Sequence, residues 1–205
     1  GIDNQKHVVI VYGGVSSLDF GSAARVYWTF KTIGHENVSI LNGGFKGWKN
    51  SGNKVVSGEN NLSPAKFKTK LNKKYYASFS EVQKAQKGKG SQCLIDARPA
   101  AFFTGDKKHA KARIPGRLAN ARNLQEGNLI DGGFKIKSSS EIKSQFGGLE
   151  GVEKYKGYIS YCNTGHWAAT VWFGLSEIAQ IPNVKMYDGG MTHWTYDPKR
   201  KVDLS

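Results

Sequence analysis

Cys162 is the residue of this chain best placed to act as a nucleophile. It follows an apolar stretch, residues 152–161, that predicts a β-strand with Ile159 at its centre. A five-residue loop comes next, residues 163–167, and then a stretch typical of a helix, residues 168–179. Backbone N–H groups of the loop and the first helical turn would point at the sulfur, and the helix dipole would add partial positive charge. The pattern predicts a nucleophilic thiol with a lowered pKa, the alternative being a cysteine that only packs at a strand end.

Two parts of the chain repeat one another. The matching segments are residues 9–12 with 158–161, residues 23–28 with 168–173, and residues 37–48 with 183–194. Each copy contains a strand, a loop, a helix, a strand, a Gly-Gly turn and a tryptophan, which indicates duplicated α/β units and not a solenoid with repeats of about 20 to 50 residues. In this alignment Gly13 stands where the second copy has Cys162, and the first loop is longer, running from Gly13 to Ser22. Only the second copy is therefore expected to do thiol chemistry.

The bulk composition is that of a globular protein. The 205 residues are 39% hydrophobic and 12% aromatic, and no apolar run reaches the ~18 residues that a membrane span requires. We expect a soluble protein, of the cytoplasm or the periplasm, without a membrane partner. Thirty Lys and Arg against sixteen Asp and Glu give a net charge of +14, which favours encounters with anions. The lysines are scattered and no nucleic-acid motif accompanies them, so nucleic acid is not an expected partner.

The two cysteines are too few for a disulfide framework in a chain of this size. Cys93 lies in the apolar stretch 92–97, where burial and packing are its expected role. The chain begins with Gly1 and not with methionine, which suggests a processed or tag-derived start.

The order of predicted elements divides the chain into three parts. Residues 1–56 contain half of an α/β domain, residues 57–74 a linker, and residues 75–205 a complete domain. We predict these elements: a helix over 23–33, a helix at 78–86 capped by Ser78 or Ser80, a strand at 93–97, a helical turn at 99–103 and a helix within 138–146. Because strands and helices alternate, a parallel sheet covered by helices on both faces is the expected α/β architecture.

The sequence resembles the rhodanese family of sulfurtransferases in its tandem two-domain form. The resemblance rests on segments that occur in the family's order and span almost the whole chain: Ser39-Ile40-Leu41-Asn42-Gly43-Gly44-Phe45-Lys46-Gly47-Trp48, Leu94-Ile95-Asp96-Ala97-Arg98 with Phe103-Thr104-Gly105, Arg113-Ile114-Pro115-Gly116, Tyr161-Cys162-Asn163-Thr164-Gly165-His166-Trp167-Ala168, and Tyr187-Asp188-Gly189-Gly190 with Trp194. It implies that residues 75–205 form a catalytic rhodanese-like domain and residues 1–56 a partial, inactive one, with the active site in the cleft between them. A separate N-terminal fragment could complete the first domain.

The resemblance also implies an activity. Cys162 would take a sulfane sulfur from a small anionic donor, thiosulfate or 3-mercaptopyruvate, carry it as a persulfide and pass it to a thiophilic acceptor, cyanide or a thiol. Neither a cofactor nor a metal is implied, because the sulfur is carried covalently. Arg98 matches a basic residue that holds the donor in the family, and Asp96 is interpreted as an organiser of the loop. The residues implied to cradle the persulfide are Asn163, Thr164, Gly165, His166 and Trp167.

The cysteine loop departs from the family pattern. The family often has arginine, lysine or small residues there, whereas this chain has His166 and Trp167, and residues 157–184 contain no lysine or arginine. His166 could supply a switchable positive charge, its unperturbed pKa being about 6.5, or it could pack beside Trp167 and bond a carbonyl. Arg113 occupies a place that is commonly histidine. The sequence thus leaves the donor preference open.

Other functions for a cysteine in such a loop are less well matched. A cysteine-dependent phosphatase needs an arginine six residues after the cysteine to grip phosphate, and that position is Ala168. A metal site at Cys162 and His166 would need two further ligands, which neither a CxxC motif nor paired histidines supply. A non-catalytic module that binds a persulfide or sulfide stays open as the alternative to an enzyme.

Overall fold

The computed structural model describes residues 1–204 and contains two parallel sheets. The first sheet has two strands, β1 (Val8–Ile10) and β2 (Val38–Ile40). Helix α1 (Ser17–Thr32) connects them, and α2 (Gly44–Asn50) follows β2. No helix among these residues is long and apolar enough to cross a membrane.

The second sheet has four parallel strands. Its elements, in chain order, are α3 (Phe79–Gln86), β3 (Gln92–Asp96), α4 (Ala100–Thr104), β4 (Arg122–Asn123), α5 (Ser139–Gly147), β5 (Gly157–Tyr161), α6 (His166–Phe173), β6 (Val184–Met186) and α7 (Gly190–Trp194). The strand order is β4-β3-β5-β6, so β5 is flanked by a strand on each edge and is buried along its whole length. Separate hydrophobic clusters cover its two faces. The predicted α/β architecture, with a parallel sheet covered on both faces, is confirmed.

Serine caps define the starts of several helices. Ser78 and Ser138 each form a capping box with the glutamate three residues later, Glu81 and Glu141, which agrees with the sequence-based helix starts. The start predicted for α1 was wrong. Ser16 accepts a hydrogen bond from the Asp19 backbone N–H, so the helix begins at Ser17 and the preceding loop ends six residues earlier than expected.

The elements on either side of Cys162 are also shorter or shifted relative to the predictions. The strand is only Gly157–Tyr161, because residues 152–154 form a 3-10 turn after Gly151, whose positive φ of 66° interrupts extended backbone. The helix begins at His166, two residues before the predicted start, and after Phe173 it continues as a π-helical turn, Gly174–Ile178. The strand β3 and the helix α4 match their predictions to within one residue.

The two sheets share a local pattern of strand pairing. Val8 pairs with Val38 in the first sheet, and Tyr158 pairs with Val184 in the second. Val38 and Val184 occupy the same place in the matched segments of the sequence. Val8 therefore corresponds to Tyr158, one residue away from the alignment made on the sequence.

This register places Tyr12, and not Gly13, where the second unit has Cys162. The Phe45 backbone N–H donates to the Tyr12 carbonyl at 2.7 Å, as the Met191 backbone N–H donates to the Cys162 carbonyl at 2.8 Å. The sequence-based match to Gly13 was wrong because residues 8–11 are all β-branched, and a uniform apolar run does not fix its own register. The conclusion that the first unit lacks a thiol at this position is unchanged.

Helices α1 and α6 join the two units at the site. Gly21 of α1 lies so close to α6 that a Cβ atom there would be 3.1 Å from the His166 carbonyl oxygen and 3.2 Å from Thr170 Oγ1. This close approach brings the first turn of α1 next to the cysteine loop. Residues 53–72 contain neither helix nor strand, and the backbone N–H of Lys70 donates to the Ile33 carbonyl at 2.9 Å.

Candidate active site

Cys162 lies at the carboxyl end of β5, directly before the loop that leads into α6. Ligands of parallel sheets bind at this edge, and here the N-terminus of a helix also faces the edge. The thiol is buried, with 1% of the residue exposed. The Gly165 backbone N–H donates to Cys162 Sγ at 3.0 Å, and the backbone amides of Thr164 and Ala168 also act on the sulfur. The predicted cradle of backbone amides around the sulfur is thus present.

Two glycines permit this loop geometry. Gly165 has φ 106°, a left-handed conformation that side chains other than glycine rarely adopt. Gly190, at the start of α7, lies against the loop backbone, and a Cβ atom there would be 2.5 Å from the Asn163 carbonyl oxygen and 2.6 Å from that of Cys162. The Thr192 hydroxyl donates to the same Asn163 carbonyl at 3.0 Å. The Gly-Gly turn and the start of α7 therefore pack against the backbone of the cysteine loop and fix its position.

Burial shifts the pKa of the Cys162 thiol more than the hydrogen bonds from the backbone amides do. It raises the pKa of Cys162 above the usual range, while hydrogen bonds from the backbone amides of Ala168, Gly165 and Thr164 lower it by a smaller amount. The predicted lowering of the Cys162 pKa was therefore wrong, because the sequence revealed the amides but not the complete removal of water. The free protein holds Cys162 mainly as the thiol at neutral pH.

A pocket of about 340 Å³ opens at Cys162. Its lining residues are Leu18, Ser22, His109, Cys162, Asn163, Thr164, His166 and Trp167. Four of the five predicted cradle residues contribute to the lining, and Gly165 contributes its backbone N–H to the sulfur. The sequence analysis missed three. Leu18 and Ser22 were assigned to a loop, although the Ser16–Asp19 cap could have placed them on α1, and His109 lies in a basic segment without a recognisable pattern.

Asp96 and Arg98 form a buried ion pair behind the loop. Arg98 Nε donates to Asp96 Oδ1 at 2.9 Å, and Arg98 Nη2 donates to Asp96 Oδ2 at 2.6 Å and to the Gly116 carbonyl at 2.9 Å. Arg98 Nη1 lies 3.5 Å from Asn163 Oδ1. Because only 2% of Arg98 is exposed and it does not line the pocket, the structure does not bring it into the donor contact that the sequence analysis expected. Asp96 Oδ1 also accepts from the Arg98 backbone N–H at 3.0 Å, and its role as an organiser of the loop stays a prediction.

His166 and Trp167 occupy the rim of the pocket. Burial lowers the pKa of His166, and the positive charge of Arg25 lowers it further, so the imidazole is neutral at neutral pH. The switchable positive charge expected of His166 is therefore confined to more acidic conditions. Trp167 makes an edge contact with Phe102 of α4 at 5.7 Å between ring centroids.

Arg25 reaches the cysteine loop from the first unit. Its guanidinium pairs with Asp188 and lies over the Trp28 ring, 5.1 Å from the centroid. It also contacts Gly165 so closely that a Cβ atom at that position would overlap Arg25 Nη1. The sequence analysis missed this residue because its counterpart in the matched helix is Thr170, so the repeat gave no charge signal at that position.

The comparisons with known proteins agree with this arrangement. The sequence model of the rhodanese-like domain matches residues 78–197. The chain belongs to the rhodanese family. It is 31% identical over 195 residues to the 3-mercaptopyruvate sulfurtransferase of Escherichia coli K12, covering 95% of this chain and 66% of the relative. It is 32% identical over 199 residues to the thiosulfate sulfurtransferase of Bos taurus, covering 95% and 64% respectively. The chain thus spans about two thirds of the length of these curated relatives.

This rhodanese is also similar to solved structures. The crystal structure of SseA from Escherichia coli, a 3-mercaptopyruvate sulfurtransferase, matches with a TM-score of 0.79 and 30% identity, covering 93% of this chain and 68% of that one. The structure of EanB in complex with ergothioneine matches with a TM-score of 0.87 but only 19% identity, covering 100% and 52%, and so shows the shared fold alone. Within residues 1–204 no cluster of three or more His, Cys, Asp or Glu side chains could hold a metal ion.

We predict that alkylation of Cys162 by iodoacetamide accelerates with pH through and beyond about 8.5, where an unperturbed thiol titrates. The reason is that burial raises the Cys162 pKa and only the thiolate reacts. The measurement uses Cys93→Ser, so that a single thiol remains, with Cys162→Ser as the blank. A rate that levels off below about pH 8 would contradict the expected direction.

We predict that Arg98→Met lowers the free energy of unfolding by about 3–5 kcal/mol, because it leaves the Asp96 carboxylate buried without its partner. Urea unfolding followed by tryptophan fluorescence measures this loss. Arg113→Met, which removes an exposed guanidinium that lies over the Tyr196 ring, is the matched control and should cost far less. Equal losses of unfolding free energy in the two variants would show that the buried pair contributes no more to stability than the exposed arginine does.

Proposed function

We propose that this rhodanese is a sulfurtransferase in which Cys162 accepts a sulfane sulfur and carries it as a persulfide. The observation that supports this best is the Gly165 N–H donating to Cys162 Sγ at the floor of an open pocket, between a strand end and a helix start. Thiosulfate and 3-mercaptopyruvate are the proposed donors, since the relatives from Bos taurus and Escherichia coli are named after them. Cyanide or a thiol is the proposed acceptor.

The first step is an attack of the Cys162 thiolate on the sulfur that the donor transfers. With 3-mercaptopyruvate, the new S–S bond forms at its thiol sulfur, the C–S bond breaks, and pyruvate leaves as the enolate, which then takes up a proton. With thiosulfate, the new bond forms between Cys162 Sγ and the sulfane sulfur, the S–S bond of the donor breaks, and sulfite leaves with the bonding electron pair. The attack requires the thiolate, and the amides of Gly165, Thr164 and Ala168 stabilise it by hydrogen bonds that do not titrate. Since the reaction proceeds through a covalent intermediate, it needs no cofactor.

The second step transfers the outer sulfur to the acceptor. The acceptor attacks the terminal sulfur of the persulfide, and the S–S bond breaks so that the electron pair returns to Cys162 Sγ. The leaving group is the Cys162 thiolate, which was the nucleophile of the first step and accepts the Gly165 N–H, so the same hydrogen bond assists both steps. With cyanide the product is thiocyanate.

The buried position of Cys162 also supports a second candidate function. A sulfur with 1% of its residue exposed is protected from bulk solvent, and a persulfide held there could be stored or bound without fast turnover. In this non-catalytic function the persulfide forms once and acceptors do not discharge it. Steady-state production of thiocyanate separates the two functions.

We predict that Cys162→Ser abolishes sulfur transfer and leaves the fold intact, because a hydroxyl cannot form the persulfide that divides the reaction into two steps. Thiocyanate formation and intact-mass detection of one added sulfur atom measure the effect. Cys93→Ser is the matched control: burial raises the pKa of Cys93 to about 11, and the residue lies within β3 away from the pocket. Turnover retained in Cys162→Ser, or lost in a folded Cys93→Ser, would sink the assignment of Cys162 as the nucleophile.

A further inference from the structure

The walls of the pocket at Cys162 are largely apolar. Leu18, which projects from the first turn of α1, and Trp167 supply hydrophobic surface. The polar lining comes from neutral groups, among them the Ser22 hydroxyl, the Asn163 amide and the Thr164 hydroxyl. No lysine or arginine lines this pocket within the part of the chain that the structure describes.

The arginines nearest to the cysteine loop are already engaged. Arg98 is buried in its ion pair with Asp96, and Arg25 pairs with Asp188. Neither side chain lines the pocket, and the Arg25 Nη1 atom, which has no hydrogen-bond partner, is buried against Gly165. An anion with two charges would therefore lose part of its hydration without gaining a paired cation, which is costly.

The two histidines of the pocket can donate hydrogen bonds to a ligand. His109 Nδ1 accepts a hydrogen bond from the Lys111 backbone N–H at 3.2 Å, which leaves Nε2 as the ring atom that can donate. His166 is neutral at neutral pH, because burial and the charge of Arg25 lower its pKa, so it donates without adding a full charge.

We infer that this site prefers an organic sulfane donor with a single negative charge and an apolar body over the inorganic thiosulfate dianion. This inference rests on the proposed persulfide chemistry of Cys162. The loop amides suit the reacting sulfur, the histidine rings suit the oxygens of a sulfonyl group, and Leu18 with Trp167 suits an aromatic or aliphatic substituent. A volume of about 340 Å³ accommodates a phenyl-sized group.

An aromatic thiosulfonate provides the chemically matched probe. The Cys162 thiolate attacks the outer sulfur of benzenethiosulfonate, the S–S bond breaks, and benzenesulfinate leaves with the electron pair. Thiosulfate reacts in the same way and releases sulfite. The two donors thus differ in charge and in the apolar body but transfer the same atom.

The experiment compares kcat/KM for benzenethiosulfonate and thiosulfate, each normalised to its uncatalysed reaction with free cysteine. We expect a preference of at least tenfold for benzenethiosulfonate. Leu18→Arg, which adds a guanidinium at the pocket, should reduce this preference at least tenfold by improving thiosulfate use. Val26→Arg, an exposed position on the same helix outside the pocket, should leave the preference unchanged.

The outcomes separate this inference from the proposed function. Persulfide formation from both donors with an equal or greater preference for thiosulfate would overturn the donor class and leave the sulfurtransferase proposal standing. An unchanged preference in a folded Leu18→Arg would also overturn it. Failure of both donors, and of 3-mercaptopyruvate as well, to load Cys162 would contradict the proposed function itself.

Discussion

The buried ion pair of Asp96 and Arg98 is the contact on which the geometry of the site depends. Removing two charges from water costs several kcal/mol for each ion. The attraction within the pair offsets this cost only when the remaining hydrogen-bonding groups of both side chains have partners. Here the guanidinium also reaches the Gly116 carbonyl and approaches the Asn163 side chain. The pair therefore fastens together the end of β3, the segment around Gly116 and the cysteine loop. Displacement of any one of these segments would expose the Asp96 carboxylate or the Arg98 guanidinium, or leave one of them without its partner.

The sulfur site is assembled from both units of the chain. Strand β5, its loop and α6 supply Cys162 and the amides, while α1 supplies Leu18, Ser22 and the guanidinium of Arg25. Gly21 favours this arrangement, because a Cβ atom there would lie 3.1 Å from the His166 carbonyl oxygen, closer than ordinary van der Waals contact between α1 and α6. The first unit thus contributes one wall of the pocket and so shapes what can reach the sulfur.

The sequence predicted those features that depend on local patterns. The Ser78 and Ser138 capping boxes located two helices, and the strand-loop-helix pattern located Cys162 and the amides around it. Features that depend on tertiary contacts were not predictable in this way. The motif around Arg98 gave its position but not its burial, and burial decides whether a guanidinium binds a ligand or a neighbouring carboxylate.

The tyrosine that occupies the place of Cys162 in the first unit has consequences for how the protein folds. The Tyr12 hydroxyl donates to the Phe134 carbonyl at 2.8 Å and accepts from the Gly43 backbone N–H at 2.8 Å, and Asn42 accepts from the Ile136 backbone N–H at 3.0 Å. The position of the first unit that corresponds to Cys162 thus binds the backbone of a loop of the second unit, through Tyr12 and Asn42. These hydrogen bonds couple the unfolding of the two units. We therefore do not expect residues from 75 onward to fold as an independent domain.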